Sequence, residues 1–144
     1  SILEQLNRGI AVRMMCLEPS FIRATGAENL FNQFFALKDH PLSSADYLSA
    51  IEGAIGRLEK LIAGAEARNA AGSIELRTYS YFPSTNMTCV DESGADGRMV
   101  LELVAQGNQR LTLPGLTRKN PLYVNFYRHF ETTWEGAKVR ARNR

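Results

Sequence analysis

Apolar residues recur along the chain with two different spacings, which predict helices and strands. The clearest helix begins at a capping residue, Ser44, keeps one apolar face for about five turns, frays through Gly64 to Ala71 and stops at Gly72. That face consists of Tyr47, Leu48, Ile51, Ile55, Leu58 and Ile62. Another helix is predicted to follow Asn120-Pro121, because asparagine caps helices and proline suits their first turn. Its apolar stripe consists of Tyr123, Phe126, Tyr127, Phe130, Trp134 and Ala137.

Strand patterns surround these two helices. Ile2 to Asn7 is typical of a helix that ends at Arg8-Gly9, and the apolar run Ile10 to Leu17 predicts a buried strand. Strict alternation predicts a strand over Ile74 to Phe82, with Ile74, Leu76, Thr78 and Ser80 on one face and Glu75, Arg77, Tyr79 and Tyr81 on the other. Shorter helical pieces are predicted at Phe21 to Arg23 and Glu28 to Leu37, and meander strands at Met87 to Val90, Met99 to Val104 and Leu111 to Leu113. We therefore expect an α/β fold in which helices pack on a mixed β-sheet.

Length and composition indicate one domain over residues 1–144, with 44% apolar residues to form its core. A helix that opens the chain and leads into a strand indicates a preceding strand, so we expect a domain truncated at its N-terminus, with a further N-terminal portion missing or fused. The sequence contains neither a signal peptide nor an apolar run of the roughly 20 residues that a membrane span needs. Cys16 and Cys89 lie in apolar runs and are interpreted as reduced core residues, which favours the cytoplasm.

The net charge of +2 is too small to indicate a nucleic-acid-binding surface. The exception to the even spread of cations is the C-terminal tail, where Lys138, Arg140, Arg142 and Arg144 alternate with uncharged residues. We interpret these residues as a solvated helix end, whose dipole favours cations. The alternative is a phosphate-binding tail.

Common catalytic and cofactor motifs are absent from the sequence, including Walker loops, dinucleotide-binding glycine patterns and paired Cys or His metal ligands. His40 and His129 are the two histidines, and each is interpreted as a surface residue. We expect no catalytic residue, no metal and no cofactor.

Hydrogen-bonding side chains concentrate between Arg77 and Asp91, around what the pattern predicts to be one hairpin. Arg77, Tyr79 and Tyr81 share a strand face, where a guanidinium and two phenols can hold a phosphate and stack a base or sugar. The alternative is an exposed sheet face carrying cross-strand aromatic pairs. The predicted ligand-binding residues are Arg77, Tyr79, Tyr81, Ser84, Asn86 and Asp91, joined by Arg23 and Glu18 from beyond the first strand.

The chain resembles the phospholipase-D-like superfamily, in particular its degenerate copies in bacterial regulatory and defence proteins. Three segments carry the resemblance: Leu6 to Arg13 continuing to Glu18-Pro19-Ser20, the run Ile74 to Asp91, and Phe126 to Ala137 with Phe130-Glu131 and Trp134-Glu135-Gly136-Ala137. The resemblance implies a phospholipase-D-like half-domain. It also implies a homodimer, since two half-domains face each other to form one site in that superfamily.

Active members of the superfamily carry His-x-Lys-x-x-x-x-Asp, and this chain departs from that motif. Asp91 matches the aspartate, whereas Ser84 stands at the histidine position and Asn86 at the lysine position. The nucleophile and the cation are therefore both replaced, which argues against a phosphodiesterase or nuclease.

Two hypotheses follow. In the first, the chain is a non-catalytic ligand-sensing or regulatory domain that binds a phosphorylated or nucleotide-like small molecule in the degenerate pocket. In the second, it is a structural dimerisation module of a larger regulator or defence effector.

Overall fold

The computed structural model describes residues 1–24, 44–80, 85–90, 97–104 and 110–144. Its helices are α1 (Ile2–Asn7), α2 (Pro19–Ala24), α3 (Ser44–Ala67) and α4 (Pro121–Gly136). Its strands are β1 (Val12–Leu17), β2 (Ile74–Tyr79), β3 (Thr85–Val90), β4 (Arg98–Val104), β5 (Arg110–Thr117) and β6 (Lys138–Arg142). The predicted α/β class is confirmed: helices pack on a mixed, six-stranded sheet. The predicted helix at Glu28 to Leu37 and His40 lie outside the described residues.

Local sequence signals explain where several helices begin and end. Ser1 and Glu4 form a capping box at the start of α1. Gly9 follows that helix with a φ of +77°, a left-handed conformation that suits glycine. Asn120 caps α4 as predicted, since its Oδ1 accepts a hydrogen bond from the Leu122 N–H at 2.9 Å. The long helix α3 ends at Ala67, inside the range Gly64 to Ala71 over which fraying was predicted and five residues before the predicted stop at Gly72.

The strand order is β5-β4-β3-β1-β2-β6, and β1 therefore lies between β2 and β3. β1 runs parallel to β2 and antiparallel to β3. The predicted hairpin between Arg77 and Asp91 is thus wrong, since β2 and β3 are not neighbours. The physical reason is that β1 is apolar enough to be packed on both faces, which suits a central strand.

The C-terminal cations lie in a strand rather than at a helix end. β6 pairs antiparallel with β2, from Lys138 opposite Thr78 to Arg142 opposite Glu75. The predicted solvated helix end is therefore wrong. Alternation of charged and uncharged residues is the period of a strand, and β2, the strand with which these residues pair, is far away in sequence. Asn143 fastens the end of this strand: its Oδ1 accepts from the Ile74 N–H at 2.8 Å and its Nδ2 donates to the Gly72 carbonyl at 3.1 Å.

The sheet has a buried cluster on each face. Between the sheet and helices α1 and α3 lie Leu6, Val12, Ile55, Ile62, Ala65, Ile74 and Leu76. Between the sheet and α4 lie residues that include Met15, Leu17, Tyr79, Cys89, Met99, Tyr123, Phe130 and Trp134. The predicted apolar stripe of the last helix docks α4 on the sheet, since Phe130 and Trp134 lie in the second cluster and Phe126 packs against it.

Candidate functional site

The carboxyl ends of the two parallel strands define one edge of the sheet, here called the site edge. Leu17 at the end of β1 lies opposite Tyr79 at the end of β2. β3 begins at the same edge, because Met87 pairs with Met15 and the strand starts two residues earlier, at Thr85. Ligands of open α/β sheets commonly bind at the carboxyl ends of parallel strands, so a ligand site is expected at this edge.

Glu18 is the best-connected polar side chain at the site edge. Its Oε2 accepts a hydrogen bond from the Thr78 hydroxyl at 2.8 Å, and its Oε1 accepts from the Ser20 hydroxyl at 2.8 Å and the Ser20 N–H at 3.3 Å. Its own N–H donates to the Tyr79 carbonyl at 2.9 Å. Burial alone would raise the pKa of this carboxyl, but the hydrogen bonds from Thr78 and Ser20, together with the charge of Arg140, outweigh burial and hold it below its ordinary value. Glu18 is therefore an ionised, fixed acceptor.

Arg140 reaches the same network from β6. Its Nε donates to Glu59 Oε1 at 2.7 Å, and its Nη1 lies 4.0 Å from Glu18 Oε2, beyond hydrogen-bond length. The hydrogen bond to Glu59 is the main cause of a raised pKa for this guanidinium. The side chain remains 43% exposed.

Cys16 also lies on this side of the sheet, among the residues packed against the α1 and α3 cluster. Burial, and then the charge of Glu18, raise the pKa of its thiol to about 12. The thiol is therefore protonated at neutral pH, and the reactive thiolate form is not populated.

Arg77 faces the opposite side of the sheet and is engaged with α4. Its Nε donates to Glu75 Oε1 at 2.6 Å, its Nη1 donates to the Trp134 carbonyl at 2.8 Å, and its guanidinium carbon lies 4.4 Å from the centre of the Trp134 ring. A cation beside the last carbonyls of a helix also complements the helix dipole. The alternative of an exposed face around Arg77 and Tyr79 is wrong, because α4 covers it and Tyr79 is buried.

Arg13 belongs to the same face, and sequence reasoning missed it. Its guanidinium pairs with Glu131 of α4 and lies 4.9 Å from the Phe130 ring centre and 5.0 Å from that of Trp134. A charged residue inside the otherwise apolar run Ile10 to Leu17 was a signal that could have found it.

The remaining predicted site residues fall in different places. Arg23 lies on α2 and forms an ion pair with Glu52, in which its Nη1 and Nη2 donate to the two carboxylate oxygens. Asn86 occupies the second position of β3, opposite Glu102 of β4. Tyr81, Ser84 and Asp91 lie outside the described residues. Glu18 thus directly follows β1, Arg23 lies on the next helix and Asn86 lies on β3, while Arg77 and Tyr79 pack under α4.

Sequence reasoning did not connect Thr78, Glu59 and Arg140 with Glu18. Alternation correctly places Thr78 on the face opposite Arg77, but its partner Glu18 is 60 residues away in sequence. Arg140 and Glu59 are separated by 81 residues. A local sequence pattern cannot predict such a pair, because the two residues meet only once β6 has paired with β2 beside α3.

Metal binding and membrane insertion find no support in the described part of the chain. No group of three or more His, Cys, Asp or Glu side chains among those residues could hold a metal ion. None of the described helices is both long and apolar enough to cross a membrane. His129 is exposed, as expected.

Comparison with known proteins returned no relatives: no protein-family model, no curated protein and no solved structure matches the chain.

Proposed function

We propose that the chain is a non-catalytic sensing or regulatory domain that binds a phosphorylated or nucleotide-like small molecule at the site edge. The observation that supports this proposal is the fixed polar network of Glu18, Ser20, Thr78, Arg140 and Glu59 where the parallel strands end. Polar groups held in place by their neighbours recognise a ligand without first being ordered. Of the predicted site residues, Glu18 belongs to this network, Arg23 lies on the helix that follows it and Asn86 is the second residue of β3.

The chemistry at this edge fits binding better than catalysis. Cys16 has a protonated thiol, and the Glu18 carboxyl, whose pKa is lowered, is a poor proton donor at neutral pH. Ser84 and Asn86 stand where phospholipase-D-like enzymes carry histidine and lysine. The resemblance to a degenerate phospholipase-D-like half-domain remains part of the proposal, and a mixed sheet packed by helices on both faces is compatible with it.

Thermal-shift measurements against nucleotides and cyclic dinucleotides test the binding function. A ligand present at a hundred times its dissociation constant is expected to stabilise the folded chain by about 2.7 kcal/mol. A stabilisation that appears with nucleotides and is absent with the matching nucleosides supports recognition of the phosphate. An unchanged melting temperature across the whole series would contradict ligand sensing.

A second candidate is the structural dimerisation module, and it is favoured by a different observation. Arg77 and Arg23, two of the cations expected to hold the ligand, are engaged with protein groups, and Tyr79 is only 3% exposed. These side chains stabilise the fold, as the residues of a scaffold do. In this candidate the phospholipase-D-like resemblance implies two copies facing each other around a twofold axis.

The molar mass measured by light scattering at micromolar concentration, taken with the nucleotide response, distinguishes the ligand-sensing domain, the dimerisation module and a protein that is both. The scaffold predicts a dimer of twice the 16.1 kDa chain mass without any nucleotide response. A clean monomer would remove the dimerisation module. A dimer that is also stabilised by nucleotides would indicate a ligand site shared between copies.

A further inference from the structure

Two guanidinium groups on neighbouring strands differ in how much of their hydrogen-bonding capacity the protein uses. Arg77 on β2 is held at two of its nitrogens and stacked on an indole ring, and its side chain is 21% exposed. Arg140 on β6 makes a hydrogen bond through Nε alone to the described residues, and its side chain is 43% exposed. Arg77 is therefore committed to docking α4, whereas neither terminal nitrogen of Arg140 makes a hydrogen bond to the described residues.

The single anchor of Arg140 gives its guanidinium a defined direction. Glu59 accepts from Nε at 2.7 Å on one side of the group. A guanidinium carries five N–H donors in a planar fork, and the Nη pair is one of the edges that can engage two oxygens of a phosphate or carboxylate at once. With Nε anchored, that pair can meet a ligand without the loss of side-chain freedom that an unanchored arginine incurs.

The neighbouring carboxylate does not occupy this fork. Glu18 Oε2 is 4.0 Å from Nη1, and both oxygens of Glu18 already accept hydrogen bonds from Thr78 and Ser20. The formal charges at this corner also balance in number: Glu18 and Glu59 are matched by Arg140 and by a second β6 cation, Lys138, which is the strand partner of Thr78. An incoming anion therefore meets a corner without a large excess of negative charge.

We propose that Arg140 is the residue that recognises the anionic group of the ligand, a phosphate bound through its Nη pair beside the end of β1. The inference rests on the proposed function, of which it names the specificity-determining cation. It assigns to the C-terminal strand the role that the sequence pattern had placed on Arg77.

The experiment is a titration of the ¹⁵N-labelled chain with inorganic phosphate, followed by NMR and compared with chloride at equal ionic strength. We expect saturable shifts of the Arg140 Nε–H signal and of the Glu18 and Thr78 amides. Arg140→Ala should weaken phosphate binding by about tenfold or more, and Arg140→Lys should recover it only in part, because the fork is lost. Arg142→Ala removes an equal, exposed charge two residues away and should change the affinity less than about twofold.

The possible outcomes separate this inference from the function on which it rests. Nucleotide stabilisation in the thermal-shift series with phosphate affinity unchanged in Arg140→Ala would overturn the role of Arg140 and leave the function standing. Equal losses of phosphate affinity in Arg140→Ala and Arg142→Ala would also overturn it, since they would indicate that phosphate is attracted to the overall positive charge of β6. A loss confined to Arg140→Ala, with the Trp134 fluorescence of the parent retained, supports the role of Arg140 in binding phosphate. If no nucleotide stabilises the chain in addition, nucleotide sensing fails while the phosphate site at Arg140 stands.

Discussion

The two faces of the sheet are covered in different ways. On the α4 face, large aromatic rings fill the space, and Arg13 and Arg77 lie within 5.0 Å of the centre of the Trp134 ring. On the α1 and α3 face, the buried residues are aliphatic, such as Ile55, Ile62 and Ala65, and Gly72, just before β2, lies against the backbone of Ile10 and Leu6. The first face is held by ring area and by cations placed on it, whereas the second is held by aliphatic packing and, at Gly72, by close approach of the backbone. The two faces should therefore respond to opposite kinds of substitution.

Removing the ring of Trp134 should have the largest effect. Trp134→Ala deletes a side chain that is 6% exposed, breaks the stack with Phe130 and leaves two guanidinium groups without their ring. We expect it to lower the free energy of unfolding by about 3 to 5 kcal/mol, measured by urea denaturation with circular dichroism. Leu122→Ala is the control on the same helix, because Leu122 is 51% exposed, and should cost less than about 0.5 kcal/mol. Equal stabilities of the Trp134 variant and the parent would show that α4 is not docked through this ring.

Adding one methyl group tests the other face. A Cβ at Gly72 would overlap the Ile10 carbonyl oxygen and lie 2.9 Å from the Leu6 Cα, both backbone atoms. Gly72→Ala should therefore destabilise the protein by about 1 to 3 kcal/mol, as overpacking does.

The same substitution at Gly56 is the matched control for Gly72. Gly56 lies inside α3, and a Cβ there meets nothing within 4 Å. Gly56→Ala should stabilise the protein by about 0.5 to 1 kcal/mol, because alanine loses less backbone entropy than glycine in a helix. Opposite signs in urea denaturation would confirm the contrast, and a neutral Gly72→Ala would show that α1 and the segment before β2 are not in close contact.

The covering helices were the part of the fold that could be predicted from the sequence. The apolar stripes of α3 and α4 extend over several turns, and Asn120-Pro121 marks a helix start by local chemistry. The faces of β2 also followed from alternation: Ile74 and Leu76 are in the cluster beneath α1 and α3, and Tyr79 is in the cluster beneath α4.

The strand order could not be predicted in this way, because pairing partners are chosen by burial and not by sequence proximity. β1 separates β2 from β3, which removed the predicted hairpin, and β6 returns to the edge of β2 after α4. The candidate site depends on this order. The sequence pattern does not show that α4 covers Arg77, nor that Arg140, predicted to lie at a solvated helix end, pairs with Glu59 on a distant helix.

The smallest expected effect is a pH dependence at Glu18, on the α3 side of the site edge. Its pKa is lower in the folded protein than its ordinary value, so the unfolded chain takes up the proton more readily. The stability that Glu18 contributes is then fully present above the ordinary pKa of glutamate, about 4.3, and is lost as the pH falls through the lowered folded value. The difference in unfolding free energy between the parent and Glu18→Gln should therefore be larger at pH 7 than at pH 3 in urea denaturation. Glu66→Gln, at an exposed position of α3, provides the comparison. A difference for Glu18→Gln that is the same at both pH values would show that the Thr78 and Ser20 hydrogen bonds do not depend on the charge of Glu18.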